Sequence, residues 1–183
     1  MGKAENVLRS IEKAAEKEFL PIIGPDKGQV LVDAVHENKP EKVLEVGTLI
    51  GYSAILMAKE LSPEACLVTI EIDEDEAEVA RANIAKAEVP PSVEVIVGDA
   101  VKVMPGLKNK FDLVFLDAEK TQYITYLRLV ENKLCKGSVI IADNAGIFAR
   151  QMKEYLDYVR HSGKYSSKTI PFGEDAVEIS IKL

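Results

Sequence analysis

Three oxygen-bearing side chains, Asp117, Asp143 and Asn144, stand at the ends of two apolar runs, in FLDAEK and IIADN. Two carboxylates and an amide are hard donors, suited to Mg²⁺, Ca²⁺ or Mn²⁺ and poorly suited to zinc. Taken singly, each is an ordinary strand-end turn residue. Lys120 and Tyr123 follow Asp117; alone they read as a solvated lysine at a helix start and a packing tyrosine. A second set of residues has the chemistry of a nucleoside site. Gly47 and Gly51 follow the run KVLEV, where glycine permits a tight turn and close approach of a ligand to backbone. Glu71 ends TIE, a position from which a carboxylate can accept from both hydroxyls of a ribose; the plainer alternative is a solvated strand end. Asp99, in VGDA, can meet a proton-bearing adenine nitrogen or cap a helix, and both roles can hold at once. The spacing GTLIG departs from GxGxxG, which disfavours nicotinamide cofactors.

The elements that must position these residues alternate. Short apolar runs at 43–46, 67–72, 93–97, 113–116 and 139–142 are rich in β-branched residues and do not alternate with polar ones, the pattern of parallel strands buried on both faces. Helical patterns separate them. Val7, Ile11, Ala15 and Phe19 form one stripe on a helix over 3–19, which Leu20-Pro21 ends. A second helix covers 27–37. Asp73 followed by Glu76 reads as a capping box opening a helix over 74–87, with Ala77, Ala80, Ile84 and Ala87 inward. Another helix spans roughly 148–161. Near the C-terminus Val177, Ile179, Ile181 and Leu183 alternate with polar residues, predicting a half-exposed antiparallel strand paired with 164–170. The expectation is an α/β fold: a Rossmann-like, doubly wound, mostly parallel seven-stranded sheet closed by an antiparallel hairpin, with ligands at the carboxyl ends of its strands. One domain over 1–183 accommodates it, with N-terminal helices in 1–38 and the core in 39–183.

The ordered set KVLEVGTLIGYSA, TIEID, VGDA, FDLVFLDAEK and IIADN, with GPDKGQVLVDAV ahead of it, resembles the S-adenosylmethionine-dependent class I methyltransferases. More closely it resembles the catechol and caffeoyl-CoA O-methyltransferase family. The resemblance implies S-adenosylmethionine as cofactor, with Gly47 facing its methionine part, Glu45 near the amino group and Ser53 on the carboxylate. Glu71 would hold the ribose, Asp99 and Ala100 would border the adenine, and Ile23 would pack against the cofactor. Asp117, Asp143 and Asn144 would hold Mg²⁺ or another divalent cation, Asp117 also bordering the cofactor. Lys120 would be the general base, since a divalent cation beside a lysine favours its neutral form. Two departures stand out. The segment after Asn144 is short, and Ser167, Lys168 and Thr169 are not acidic where the family carries an acid in its C-terminal hairpin.

Composition narrows the alternatives. The chain has 183 residues and a formal charge of −7, which disfavours generic attraction to nucleic acid or anionic membrane. No apolar run approaches the roughly 20 residues of a membrane span. Two widely separated cysteines, Cys66 and Cys135, give no zinc spacing and read as buried thiols of a cytoplasmic protein. Lys102, Lys108 and Lys110 read as a solvated edge. The resemblance implies a methyltransferase acting on a hydroxyl of a small, aromatic acceptor with divalent-metal assistance; it also implies a homodimer through the N-terminal helices, with which the stripe over 3–19 is compatible, as it equally is with packing on its own sheet. The alternatives are a metal-independent enzyme acting on RNA or protein, and a non-catalytic protein that binds S-adenosylmethionine.

Overall fold

The computed structural model of the chain describes residues 2–183. Two helices, α1 (Lys3–Ala15) and α2 (Gly24–Asn38), precede the alternating part. It runs β1 (Lys42–Val46), α3 (Tyr52–Ala58), β2 (Cys66–Glu71), α4 (Glu74–Ala87), β3 (Ser92–Val97), α5 (Ala100–Val103), β4 (Phe111–Leu116), α6 (Tyr123–Val130) and β5 (Leu134–Ala142). Helix α7 (Lys153–His161) leads into a hairpin of β6 (Tyr165–Phe172) and β7 (Asp175–Lys182). All seven strands form one sheet in the order β3-β2-β1-β4-β5-β7-β6. Strands β1 to β5 pair in parallel; β7 is antiparallel to both β5 and β6.

The expected seven-stranded, mostly parallel sheet is therefore the fold. The chain moves outward from β1 to β3, then returns to place β4 on the other side of β1. This reversal opens a crevice beyond the carboxyl ends of β1 and β4, where open α/β sheets bind ligands. The apolar strand runs succeed as predictors because both sheet faces are covered. One face packs against α1, α2 and α3 through residues such as Leu31, Ile55 and Leu67. The other packs against α6 and α7 through Leu127, Tyr155 and Val159. The Asp73 side chain accepts the Glu76 N–H at 3.0 Å and starts α4 where expected.

Four local expectations are corrected. Helix α1 stops at Ala15, four residues early. Its buried face is Ala4, Leu8 and Ile11, and Phe19 lies beyond the helix, 96% exposed. The helix expected over roughly 148–161 starts only at Lys153, and residues 143–152 form successive turns. Asn144 has φ 64°, and the Asp175 carboxylate, from the distant hairpin, accepts the Gly146 and Ile147 N–H groups, both at 3.3 Å. Strand β7 is antiparallel as expected but not half-exposed. It lies inside the sheet, and Glu178 and Ser180 on its polar face are fully buried. Arg160 of α7 clamps Glu178 through two 2.8 Å bonds, and Ser167 meets Ser180 at 2.8 Å. Neither cysteine is buried: Cys66 is intermediate and Cys135 exposed. Among the described residues no helix is long and apolar enough to cross a membrane.

Candidate active site

The turn after β1 fixes the centre of the site. Gly47 has φ 97°, and a Cβ there would lie 2.2 Å from the Asp117 carbonyl oxygen. The ends of β1 and β4 thus approach as closely as main chains can, tied by the Asp117 N–H on the Val46 carbonyl at 2.9 Å. On one side of this junction lies a cleft of about 370 Å³. Gly47, Glu71, Ile72, Asp99, Gln122 and Tyr126 are among its walls. Its size and mixed lining suit a nucleoside.

Glu71 is buried at the end of β2, and its two oxygens gather four main-chain N–H groups. Oε2 accepts from Thr48 at 3.0 Å and Leu49 at 2.7 Å; Oε1 accepts from Ile72 at 2.8 Å and Asp73 at 3.1 Å. A carboxylate offers about four acceptor positions, so Glu71 is saturated and holds the glycine turn to the end of β2. Asp99 caps α5 by accepting the Val101 N–H at 3.0 Å, and Ala100 is buried beside it.

Glu45 lies deeper, fully buried in β1. Its Oε2 accepts the Thr69 hydroxyl at 2.6 Å, and Thr69 in turn meets the Thr48 hydroxyl. Its Oε1 has no hydrogen-bond partner among the described residues. Burial pushes its carboxyl up to about 8, the hydroxyls of Ser53 and Thr69 partly offsetting it while the charges of Asp117 and Glu71 add to it. An acid raised in the fold leaves stability intact below its ordinary value of 4.5, and the penalty grows until the raised value is passed. Glu45→Gln should therefore flatten the fall in unfolding free energy, read from urea denaturation, between pH 5 and 8, by about a few kcal/mol at the upper end. An unchanged slope in the variant would remove Glu45 as its source.

Across the Gly47–Asp117 junction the side chains are charged. Lys120 Nζ is 2.8 Å from Asp117 Oδ1 and 3.1 Å from the Tyr123 hydroxyl, which itself donates to the Leu116 carbonyl at 3.0 Å. Asp143 ends β5 and is pushed up to about 6, first by burial and then by the charge of Asp117, against the pull of Lys27. Lys27 of α2 reaches both Asp143 oxygens, at 2.7 and 2.8 Å, and Asp175 Oδ2 at 2.8 Å. The Asn144 amide nitrogen also donates to Asp175 Oδ2, at 3.0 Å, leaving its oxygen available.

Asp117, Lys120, Asp143 and Asn144 accordingly share one end of the sheet. Gly47, Glu71, Asp99 and Ala100 line the nucleoside-sized cleft. Glu45 and Ser53 are buried behind the glycine turn, outside that cleft's lining. Ile23 is buried in the core just before α2 and is likewise not in the lining. Sequence reasoning missed Lys27 and Asp175. Lys27 had a signal, its place in GPDKGQ; Asp175 had none beyond a turn composition, PFGED. Asp175 also supplies an acid at the C-terminal hairpin, beside Asn144, which Ser167, Lys168 and Thr169 do not. Ile72, Glu119, Gln122 and Tyr126 also line the cleft.

A sequence profile of the O-methyltransferase family matches residues 3–160. Catechol O-methyltransferase B of Danio rerio is 37% identical over 174 residues, which cover 91% of this chain and 65% of that protein. The chain thus spans just under two thirds of that relative's length. Catechol O-methyltransferase of Sus scrofa is 36% identical over 156 residues, 81% of this chain and 83% of that protein. The crystal structure of an O-methyltransferase from Bacillus cereus in complex with SAH superposes with a TM-score of 0.88 at 25% identity, covering 97% of this chain and 91% of that one.

Proposed function

The chain belongs to the O-methyltransferase family, and from that premise we propose that it moves a methyl group from S-adenosylmethionine to a hydroxyl of a small aromatic acceptor. Asp117, Asp143 and Asn144 would hold a divalent cation, Mg²⁺ in the first instance, that would assist the transfer. The observation that carries the reading is the close approach of Gly47, in the wall of the nucleoside-sized cleft, to the Asp117 main chain, whose side chain holds Lys120. A methyl donor in the cleft and an acceptor on the cluster would then meet at that junction, and holding two reactants in line is itself a large share of such catalysis.

Glu45 fits the cofactor's ammonium: it is a buried carboxyl group with one unpartnered oxygen, and a positive charge beside it would favour its ionised form. Ser53 would hold the carboxylate of the methionine part, and Ile23 supports that end from the core. Ribose binding at Glu71 exchanges main-chain hydrogen bonds for hydroxyl ones. Asp99 and Ala100 border the adenine. The donor set of two carboxylates and one amide oxygen fits a hard divalent cation. Such a cation, when bound, would lower the pKa of an acceptor hydroxyl and fix its direction. Lys120, held by Asp117 and Tyr123, would take the hydroxyl proton. Asp175 places an acid beside the same acceptor position. The single-domain organisation over 1–183, a cytoplasmic location and a homodimer through the N-terminal helices belong to the same proposal; no role for nucleic acid or membrane is part of it.

Calorimetric titration with S-adenosylmethionine and its demethylated product tests the cofactor half, and folded protein that gives no heat with either defeats it. A methyl-transfer screen over phenolic, catecholic and CoA-linked acceptors, with Mg²⁺ and with chelator, tests the rest. Turnover is expected to fall to background in chelator. Full turnover in chelator would remove the metal from the reaction.

A further inference from the structure

Lys27 does more than neutralise a buried acid. Its ammonium sits in the fork of Asp143, 2.7 and 2.8 Å from the two oxygens, and at the same time 2.8 Å from Asp175 Oδ2. The three residues come from different places in the fold: Lys27 from the first turn of α2, Asp143 from the turn just after β5 and Asp175 from the start of β7. Exposure is low throughout, 17% for the Lys27 side chain, 3% for Asp143 and 15% for Asp175. Long surface lysines hold such positions loosely; this one is confined by two acids and the helix that carries it.

The position conflicts with metal ligation. A Mg²⁺ ion needs a carboxylate oxygen at about 2.0–2.1 Å, and Ca²⁺ one at about 2.3–2.6 Å. An ammonium that already holds both oxygens of Asp143 must release at least one, and two cations drawn to one carboxylate repel. Asp175 gives the lysine somewhere to stay. It already accepts the ammonium, and the same oxygen accepts the Asn144 amide, so the move requires no new partner.

We propose that Lys27 is an internal competitor for the divalent cation at Asp143, and that Asp175 is the acid that retains its ammonium when the cation binds. Lys27 is a positioning residue here: it acts through Asp143, sets how tightly the cation is held, and couples that affinity to α2. The inference rests on the metal reading given above.

The test is calorimetric titration of Mn²⁺, and separately Mg²⁺, into the full chain in the absence of cofactor, with a thermal melt of each variant as a folding check. Lys27→Met should tighten Mn²⁺ binding roughly tenfold, by removing the competing charge. Lys27→Gln, which keeps polarity without the charge, should tighten it in the same direction and stands in if the methionine variant fails to fold. Asp175→Asn should weaken binding several-fold, and that loss should shrink to less than about twofold in the Lys27→Met background, where no ammonium needs a receiver. If wild type binds Mn²⁺, Asp143→Ala does not, and the Lys27 variants bind no tighter than wild type, the competition is wrong while the metal reading stands. If Asp143→Ala binds as wild type does, or no variant binds at all, both fall.

Discussion

Replacing Lys120 by methionine is expected to lower turnover by roughly 10²–10⁴, the usual contribution of a positioned general base, while leaving S-adenosylmethionine affinity within about threefold. The ammonium is 2.8 Å from Asp117 and 3.1 Å from the Tyr123 hydroxyl, so a drop in rate alone would not distinguish a base from the cationic half of an ion pair. Lys120→Arg separates them. A guanidinium keeps the positive charge and can hold Asp117, but it does not give up its proton in a protein. If Lys120 accepts the hydroxyl proton, the arginine variant melts near wild type and is nearly as inactive as the methionine variant. If Lys120 only orients Asp117, the arginine variant recovers most of the rate. Steady-state kcat and KM, with cofactor affinity measured separately, decide the matter.

Gly47→Ala should be the most damaging single methyl group in the chain. The Cβ would fall 2.2 Å from the Asp117 carbonyl oxygen and 2.8 Å from its carbon, both main-chain atoms that no side-chain rotation can move aside. The φ of 97° adds strain for any residue with a Cβ. Left-handed backbone costs about 1–2 kcal/mol and overpacking about 1–3 kcal/mol, giving a loss of about 2–5 kcal/mol. That is a large part of an ordinary domain's stability. Gly163→Ala is the control. Its φ is 73°, yet nothing lies within 4 Å of the added carbon, so only the strain remains. Urea denaturation should show the larger midpoint shift for Gly47→Ala at unchanged m. The same variant should lose both cofactor and metal binding, because the turn and Asp117 move together. Binding unaffected by Gly47→Ala would mean that this junction does not connect the two halves of the site.

The sheet was readable from the sequence because its strands are buried on both faces, and continuous β-branched runs set between helical patterns fit a covered parallel sheet and little else. The start of α4 was readable because the cap is local: Asp73 reaches only to Glu76. Errors arose where a distant residue overrode a local pattern. The turns of 143–152 are pinned by Asp175, about thirty positions later, which takes the Gly146 and Ile147 N–H groups. The polar face of β7 is dry because Arg160 covers Glu178. Among site residues, those in strand-end motifs could be placed by order alone: Glu71, Asp99, Asp117, Asp143 and Asn144. Lys27 acquires meaning only once α2 folds across the end of β5, 116 positions along the chain, and no periodicity encodes that distance.

The saturation of Glu71 bears on how such a protein can change over generations. Its four donors are main-chain N–H groups, which every residue except proline supplies, so most substitutions at Thr48, Leu49, Ile72 or Asp73 leave the bonds that shape this end of the cleft in place. The opposite end is built from named side chains, Lys27, Lys120, Asp143 and Asp175, each replaceable by a single codon change with an immediate chemical effect. Mutation therefore meets an inheritance divided in two: a donor end written in backbone and buffered against drift, and an acceptor end written in side chains and open to revision.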